Sequence, residues 1–177
     1  MIEIVLLHHG SQTVEVTLDP RHEPAVTAKL GGKVIWRGIH RDYKPWKIAV
    51  ADVDGDRSED FIVALFKHTR HSPHRLHTLF VFGFDGTTVY PKWRGSRLAR
   101  DFVDFVFARG KNGDKLLTLD RLLDGRFALS CYRWSGFGFR KQWERGDWKQ
   151  ARLKAGVSDS MTVVTEGGSV KISIGQP

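Results

Sequence analysis

Between Ala51 and Phe61 the chain reads Asp52-Val53-Asp54-Gly55-Asp56-Arg57-Ser58-Glu59-Asp60, with carboxylates on alternate residues and one more after a gap. Hard cations such as calcium take about six to eight oxygen ligands, so a short loop must turn several Asp side chains and a main-chain carbonyl inward. Asp52, Asp54, Asp56 and Asp60 supply carboxylates, and the Ser58 carbonyl falls where a backbone ligand is needed. Gly55 permits the turn, having no Cβ to obstruct it. Asp and Gly are also ordinary turn residues. Four aspartates in nine positions repel one another without a cation among them, which favours the metal site over a plain acidic turn.

An EF-hand starts similarly but requires Gly at its sixth loop position, Glu at its twelfth and a helix beyond. Counted from Asp52, those positions hold Arg57 and Val63, and the run that follows, Phe61-Ile62-Val63-Ala64-Leu65, has strand character. The pattern Asp-x-Asp-Gly-Asp-x-x-x-Asp leading into an apolar strand instead resembles the calcium loop of FG-GAP/VCBS repeats, the blades of integrin-type β-propellers. The resemblance implies calcium ligation by Asp52, Asp54, Asp56, the Ser58 carbonyl and Asp60, with the ion holding two strands of a blade together. Arg57 departs from the pattern, because the family usually has Gly or Asn there. The specific match covers this one loop.

The elements around it repeat. Val26–Leu30, the turn Gly31-Gly32 and Lys33–Gly38 form a strand, turn and strand ending Trp36-Arg37-Gly38. Leu79–Phe84, the turn Asp85-Gly86 and Thr87–Gly95 form a second copy ending Trp93-Arg94-Gly95. Leu129–Trp134, the turn Ser135-Gly136 and Phe137–Gly146 form a third, closing on Trp143 and Gly146. Met161–Thr165, Gly167-Gly168 and Ser169–Gly175 form a fourth without its Trp. Ahead of the later copies lie further strand pairs: Ile48–Ala51 with Phe61–Phe66, Phe102–Ala108 with Lys115–Leu119, and an abbreviated pair at Ala151–Val157 and Met161–Val164. The middle pair flanks Arg109–Asp114, which keeps Gly and Asp but lacks the alternating acids.

A four-stranded unit recurring at about 40–50 residues is the pattern of propeller blades. The expected fold is therefore all-β: a single domain over residues 1–177, a small propeller of about four blades. The last blade is short or is completed by the N-terminal strand Ile2–Leu7. Thr13–Leu18 reads as a second N-terminal strand. A β-sandwich of many short strands is the alternative, and no long stretch of helical period competes.

With 177 residues the chain has length for one well-buried domain. Lys and Arg outnumber Asp and Glu by 28 to 20, a formal charge of +8 that favours anionic partners without choosing among them. Cys131 has no partner for an internal disulfide and reads as a small buried hydrophobe. The N-terminal residues lack the basic and apolar regions of a signal peptide, and no apolar run approaches a membrane span of about 20 residues.

Other groupings carry weaker chemistry. His68, His71, His74 and His77 recur every third residue in a basic tract, where a transition-metal site competes with a solvated hairpin loop. Trp36, Trp46, Trp93, Trp134, Trp143 and Trp148 offer flat faces for sugars or bases, but their repeat positions favour packing inside blades. Lys92–Arg100 and Arg140–Lys154 interleave cations with aromatics, as single-strand nucleic-acid grooves do. Asp101, Asp104, Asp120 and Asp124 could furnish a carboxylate pair, although spacing alone does not bring two together. No nucleophile elbow, phosphate-binding glycine loop or paired cysteine nucleophile occurs.

The expected function is a non-catalytic domain with one structural calcium ion, contacting a protein or glycan on one propeller face. The resemblance implies an extracellular or envelope setting. Polyanion or nucleic-acid binding through the basic surface, and a carbohydrate-active enzyme with an unrecognised carboxylate pair, are the alternatives.

Overall fold

The computed structural model describes residues 1–69, 72–95, 97–154 and 160–174. Among the described residues, fifteen strands form four small antiparallel sheets, each taken in chain order. The first contains β1 (Glu3–His9), β2 (Gln12–Leu18), β3 (Val26–Leu30) and β4 (Lys33–Gly38). The second contains β5 (Pro45–Ala51), β6 (Asp60–Thr69), β7 (Ser72–Phe84) and β8 (Val89–Arg94). β9 (Phe102–Ala108), β10 (Lys115–Arg121), β11 (Phe127–Trp134) and β12 (Phe139–Trp148) make the third, and β13 (Ala151–Lys154), β14 (Ser160–Thr165) and β15 (Gly168–Ser173) the fourth. The only helical piece among the described residues is a 3₁₀ turn at Arg41–Tyr43. None of it is long and apolar enough to cross a membrane.

Local sequence explains the hairpins. In β2, Val14, Val16 and Leu18 are buried while the residues between them are not, the period-two pattern of a strand with one face on a core. The β3–β4 turn places Gly31 at φ 56° and Gly32 at φ 79°, the left-handed pair that a tight two-residue hairpin demands.

The chain forms two compact units, Met1–Asp52 with Asp56–Arg97, and Leu98–Pro177 with the tip Val53–Gly55. In the first unit, the first two sheets share one apolar core. Leu7, Val14, Val16 and Val26 meet Phe61, Val63, Leu65 and Phe82 there. Phe61 and Phe82 stack with centroids 5.0 Å apart, and Trp36 leans on both. Polar links add to it: Ile48 N donates to Glu3 Oε2 at 2.9 Å, and His8 N to Glu59 Oε2 at 2.6 Å. In the second unit, Leu117, Leu129 and Cys131 of the third sheet pack with Met161, Val163 and Ile172 of the fourth. Cys131 is fully buried, and that burial pushes its thiol up to about 11. Two sheets sharing a core is also the layering of a sandwich.

Three expectations change. The N-terminal strand does not complete the last sheet: β1 pairs with β2 in a continuous register from Glu3↔Leu18 to His9↔Gln12. The last sheet is the short one expected, with three strands among the described residues. The tract read as a hairpin loop is instead paired strand, with Phe66↔His77, Lys67↔Leu76 and His68↔Arg75 extending β6 and β7. β12 runs past Gly146 to Trp148, which pairs with Phe127.

That last extension alters the repeat. The Trp36 ring covers Gly38 and the Trp93 ring covers Gly95, so closely that a Cβ on either glycine would overlap the indole. In the third sheet the ring over Gly146 belongs to Trp148 rather than Trp143. Trp143 carries the Arg145 guanidinium 4.8 Å from its ring centre.

Candidate metal centre

The acidic loop joins β5 to β6. It leaves β5 after Ala51, and β6 begins at Asp60, so both ends are held by a strand pair in which Ala51 is opposite Asp60. Within it, Arg57 N donates to Asp52 Oδ2 at 3.0 Å and Ser58 N donates to Asp56 Oδ1 at 2.7 Å. These bonds curl the loop back on its own carboxylates. Gly55 sits at φ 80° and Arg57 at φ 69°, so the non-glycine residue also adopts a left-handed conformation.

One carboxylate oxygen each from Asp52, Asp54 and Asp56 lies within 4.8 Å of the others. Among the described residues this is the group of three or more potential metal-ligating side chains. An all-oxygen donor set from a loop exposed enough to admit an ion fits a hard cation such as calcium and disfavours zinc, which selects nitrogen and sulfur. Ser58 enters the loop through the hydrogen bond that its main-chain N–H donates to Asp56 Oδ1.

Asp60 lies outside that trio. It is 1% exposed, and the Lys92 ammonium on β8 stands 2.9 Å from its Oδ1 and 3.4 Å from Asp56 Oδ2. A side-chain cation therefore already serves the fourth carboxylate. Space for the lysine stem comes from Gly83 on the neighbouring strand, where a Cβ would come 3.0 Å from Lys92 Cε and 2.5 Å from Tyr90 Cζ. Nothing near Asp60 in the sequence marks this lysine; the relevant signal is Gly83 paired with Tyr90 in the β7–β8 register.

The second loop, Arg109–Asp114, supports the tip of the first. A Cβ on Gly55 would come 2.8 Å from the Asn112 carbonyl carbon, and one on Gly113 would come 2.8 Å from Val53 O. Gly113 has φ 95°, and Asp114 Oδ1 accepts from Gly110 N at 3.3 Å. This loop, which lacks alternating acids, packs its main chain against Val53–Gly55.

The remaining candidates disperse. His77 packs on Phe66 and Trp46, with ring centres 4.7 and 5.8 Å away, and His68 stands opposite Arg75. His71 is outside the described residues. Several cations of the basic stretches are neutralised internally: Lys92 by Asp60, and both Arg100 and Lys141 by Glu144. Of the four aspartates considered for catalysis, Asp124 pairs with Arg126, and Asp104 accepts from Phe105 N. Asp101 accepts through its main-chain oxygen from Arg121 N. Asp120 is fully buried and accepts from Thr118 Oγ1 and Ser130 Oγ, each at 2.6 Å.

Asp120 and Glu144 form one polar network with opposite electrostatics. Burial raises the Asp120 carboxyl above its ordinary range against the pull of its two hydroxyl donors. Glu144 is held down to about 2, chiefly by the Arg100 hydrogen bonds and then by Lys141. Burial and the Asp120 charge push Tyr132 up to about 12. Ser130 Oγ links the two, donating to Asp120 Oδ2 at 2.6 Å and lying 3.5 Å from Glu144 Oε2.

No protein-family model matches this chain, and no curated protein is significantly similar to it.

Proposed function

We propose that this chain is a non-catalytic, calcium-binding repeat domain that recognises a protein or glycan in a calcium-replete, extracellular or envelope setting. The observation that carries the reading is the convergence of the Asp52, Asp54 and Asp56 carboxylates in the β5–β6 loop. In it Asp52, Asp54 and Asp56 hold the ion, the Ser58 carbonyl adds a main-chain ligand, and Asp60 shares its charge between the site and Lys92. The ion's role is structural: it cancels the mutual repulsion of the loop carboxylates and ties the start of β6 to the end of β5. Because it binds the folded loop and not the open chain, it stabilises the fold by mass action.

The four in-order sheets, two of them closing on Trp-Arg-Gly, support a blade reading in the manner of FG-GAP/VCBS propellers. Small-angle scattering of the chain, compared with closed-ring and two-layer shapes, tests that arrangement.

Thermal unfolding in EDTA and then with calcium restored tests the metal, with the Asp54→Ala variant alongside. Calcium raises the midpoint of the parent protein and leaves that of the variant unmoved. An unchanged parent midpoint would reduce the loop to an acidic turn.

A further inference from the structure

The first unit contains a cavity of about 360 Å³ with an aromatic wall formed by Trp36, Tyr43, Phe80 and Phe82. Trp36 leans on Phe82 with centroids 5.0 Å apart, and Tyr43 meets Phe80 edge-on at 6.2 Å. Two arginines, Arg37 and Arg94, complete its lining with His40. They occupy the same place in the two Trp-Arg-Gly copies, so the repeat itself delivers both to one cavity. Arg94 stands directly across the β7–β8 ladder from Phe80, at the edge of the aromatic wall.

Neither guanidinium has a hydrogen bond or ion pair among the described residues, whereas Arg21, Arg100 and Arg126 each clasp a carboxylate. No carboxylate lines the cavity. His40 Nδ1 itself lies 3.9 Å from Glu23 Oε2 and 3.5 Å from Asp42 Oδ2. Arg37 and Arg94 thus bring two cations to one cavity, and Lys67 Nζ stands 5.5 Å from the Tyr43 and Phe80 ring centres, so its lining favours an anionic occupant. A guanidinium fork matches the paired oxygens of a sulfate or carboxylate, and an aromatic face accepts the apolar face of a ring.

We propose that this cavity binds a single sugar ring carrying an oxyanion, a sulfate ester or a uronate carboxylate, with Arg37 and Arg94 clamping the anion and Trp36 and Tyr43 packing on the ring. The proposal rests on the glycan side of the recognition reading above and narrows it to acidic saccharides. The cavity's size suits one ring. A nucleic acid instead needs cations repeated along a groove with successive stacking platforms.

The test is isothermal titration of the full chain with three disaccharides: sulfated uronate-containing, the same without sulfate, and neutral maltose. At least one acidic disaccharide binds saturably and maltose does not; which acidic probe binds identifies the anion. Arg37→Ala and Arg94→Ala each weaken binding about tenfold or more, the loss expected for a charge-assisted contact, while Arg37→Lys weakens it less. Arg133→Ala/Arg140→Ala, a pair of exposed arginines opposite each other on β11 and β12, leaves it unchanged. No saturable acidic binding overturns the proposal, as does equal affinity in the Arg37 and Arg94 variants or equal loss in the Arg133/Arg140 control. Unaltered thermal midpoints confirm that the variants fold. Running the titration on Asp54→Ala separates the two readings: saccharide binding without a calcium response sinks the metal site alone, and the reverse sinks this cavity alone.

Discussion

Lys92 Nζ lies 2.9 Å from Asp60 Oδ1, with the lysine side chain 9% exposed and the aspartate 1%. A lysine from the last strand of the second sheet thus neutralises the final acid of the calcium-type loop, and it leans toward Asp56 as well at 3.4 Å. Removing one member of a buried pair strands the other charge, while removing both is far milder. Lys92→Met is expected to cost about 3–5 kcal/mol, and Lys92→Met/Asp60→Asn to recover most of it. Urea unfolding in EDTA measures both, with Asp60→Asn alone completing the cycle; a double variant whose loss equals the sum of the two singles would show that the pair is not coupled.

Asp54 gives a prediction whose sign depends on calcium. In EDTA, Asp54→Asn relieves repulsion from Asp52 and Asp56 and raises stability slightly. With calcium at about a hundred times its dissociation constant, the parent gains about 2.7 kcal/mol that the variant lacks. The two stability orders therefore cross between EDTA and calcium in urea titrations of both proteins.

Arg57 sits at φ 69°, a conformation that costs a residue with a Cβ about 1–2 kcal/mol. Arg57→Asn, and more so Arg57→Gly, are expected to raise the urea midpoint by relieving it. The gain is about 1 kcal/mol after the extra chain entropy of glycine is subtracted. A lowered midpoint for both variants would mean that the arginine side chain supplies more than its backbone costs.

Gly38 and Gly95 lie beneath the Trp36 and Trp93 rings with no room for a Cβ. Gly38→Ala and Gly95→Ala each push an indole off its seat and are expected to cost about 1–3 kcal/mol, as overpacking does. Near-ultraviolet circular dichroism should report the displaced ring. Ala at Gly125, which has open space around it but φ 85°, should leave that spectrum unchanged.

The third sheet predicts a pH profile with two opposing contributions. Glu144 is lowered to about 2 from 4.5, so its contribution is fully present above pH 4.5 and is lost as pH falls toward 2. Asp120 is raised above 3.8, so the folded state holds its proton more tightly. Its contribution is present below pH 3.8 and lost as pH climbs through the folded value. Glu144→Gln should flatten the acid limb of stability against pH, and Asp120→Asn should remove the decline on the rising side. Unfolding midpoints from pH 2 to 7 distinguish the two.

Much of the secondary structure was readable in the residues, because its causes are local. Alternating Val14 and Val16, the Gly31-Gly32 turn and the paired Trp-Arg-Gly endings each act within a few positions, and β3 and β4 match their expected bounds. The acidic loop was readable for the same reason: alternate carboxylates around a glycine converge once the chain turns. Arg57 has a left-handed backbone, a conformation that favours Gly or Asn over an arginine.

Long-range pairing decided the rest. Whether β1 joins β2 or the C-terminal strands depends on which edge its register satisfies, and both edges read alike in sequence. Which tryptophan covers Gly146 turns on two register shifts between β11 and β12, which carry that strand on to Trp148. Lys92 reaches Asp60 only because β7 and β8 bring it alongside β6, with Gly83 leaving space for its stem. Most of the strands, their glycine turns and the carboxylates of the loop were legible in the residues, since these follow from backbone freedom and side-chain period over a few positions, whereas the extensions of β6, β7 and β12 were not. The tertiary structure alone decided which cation answers the last carboxylate and which arginines share a cavity, since charges far apart in sequence interact only after the sheets have assembled.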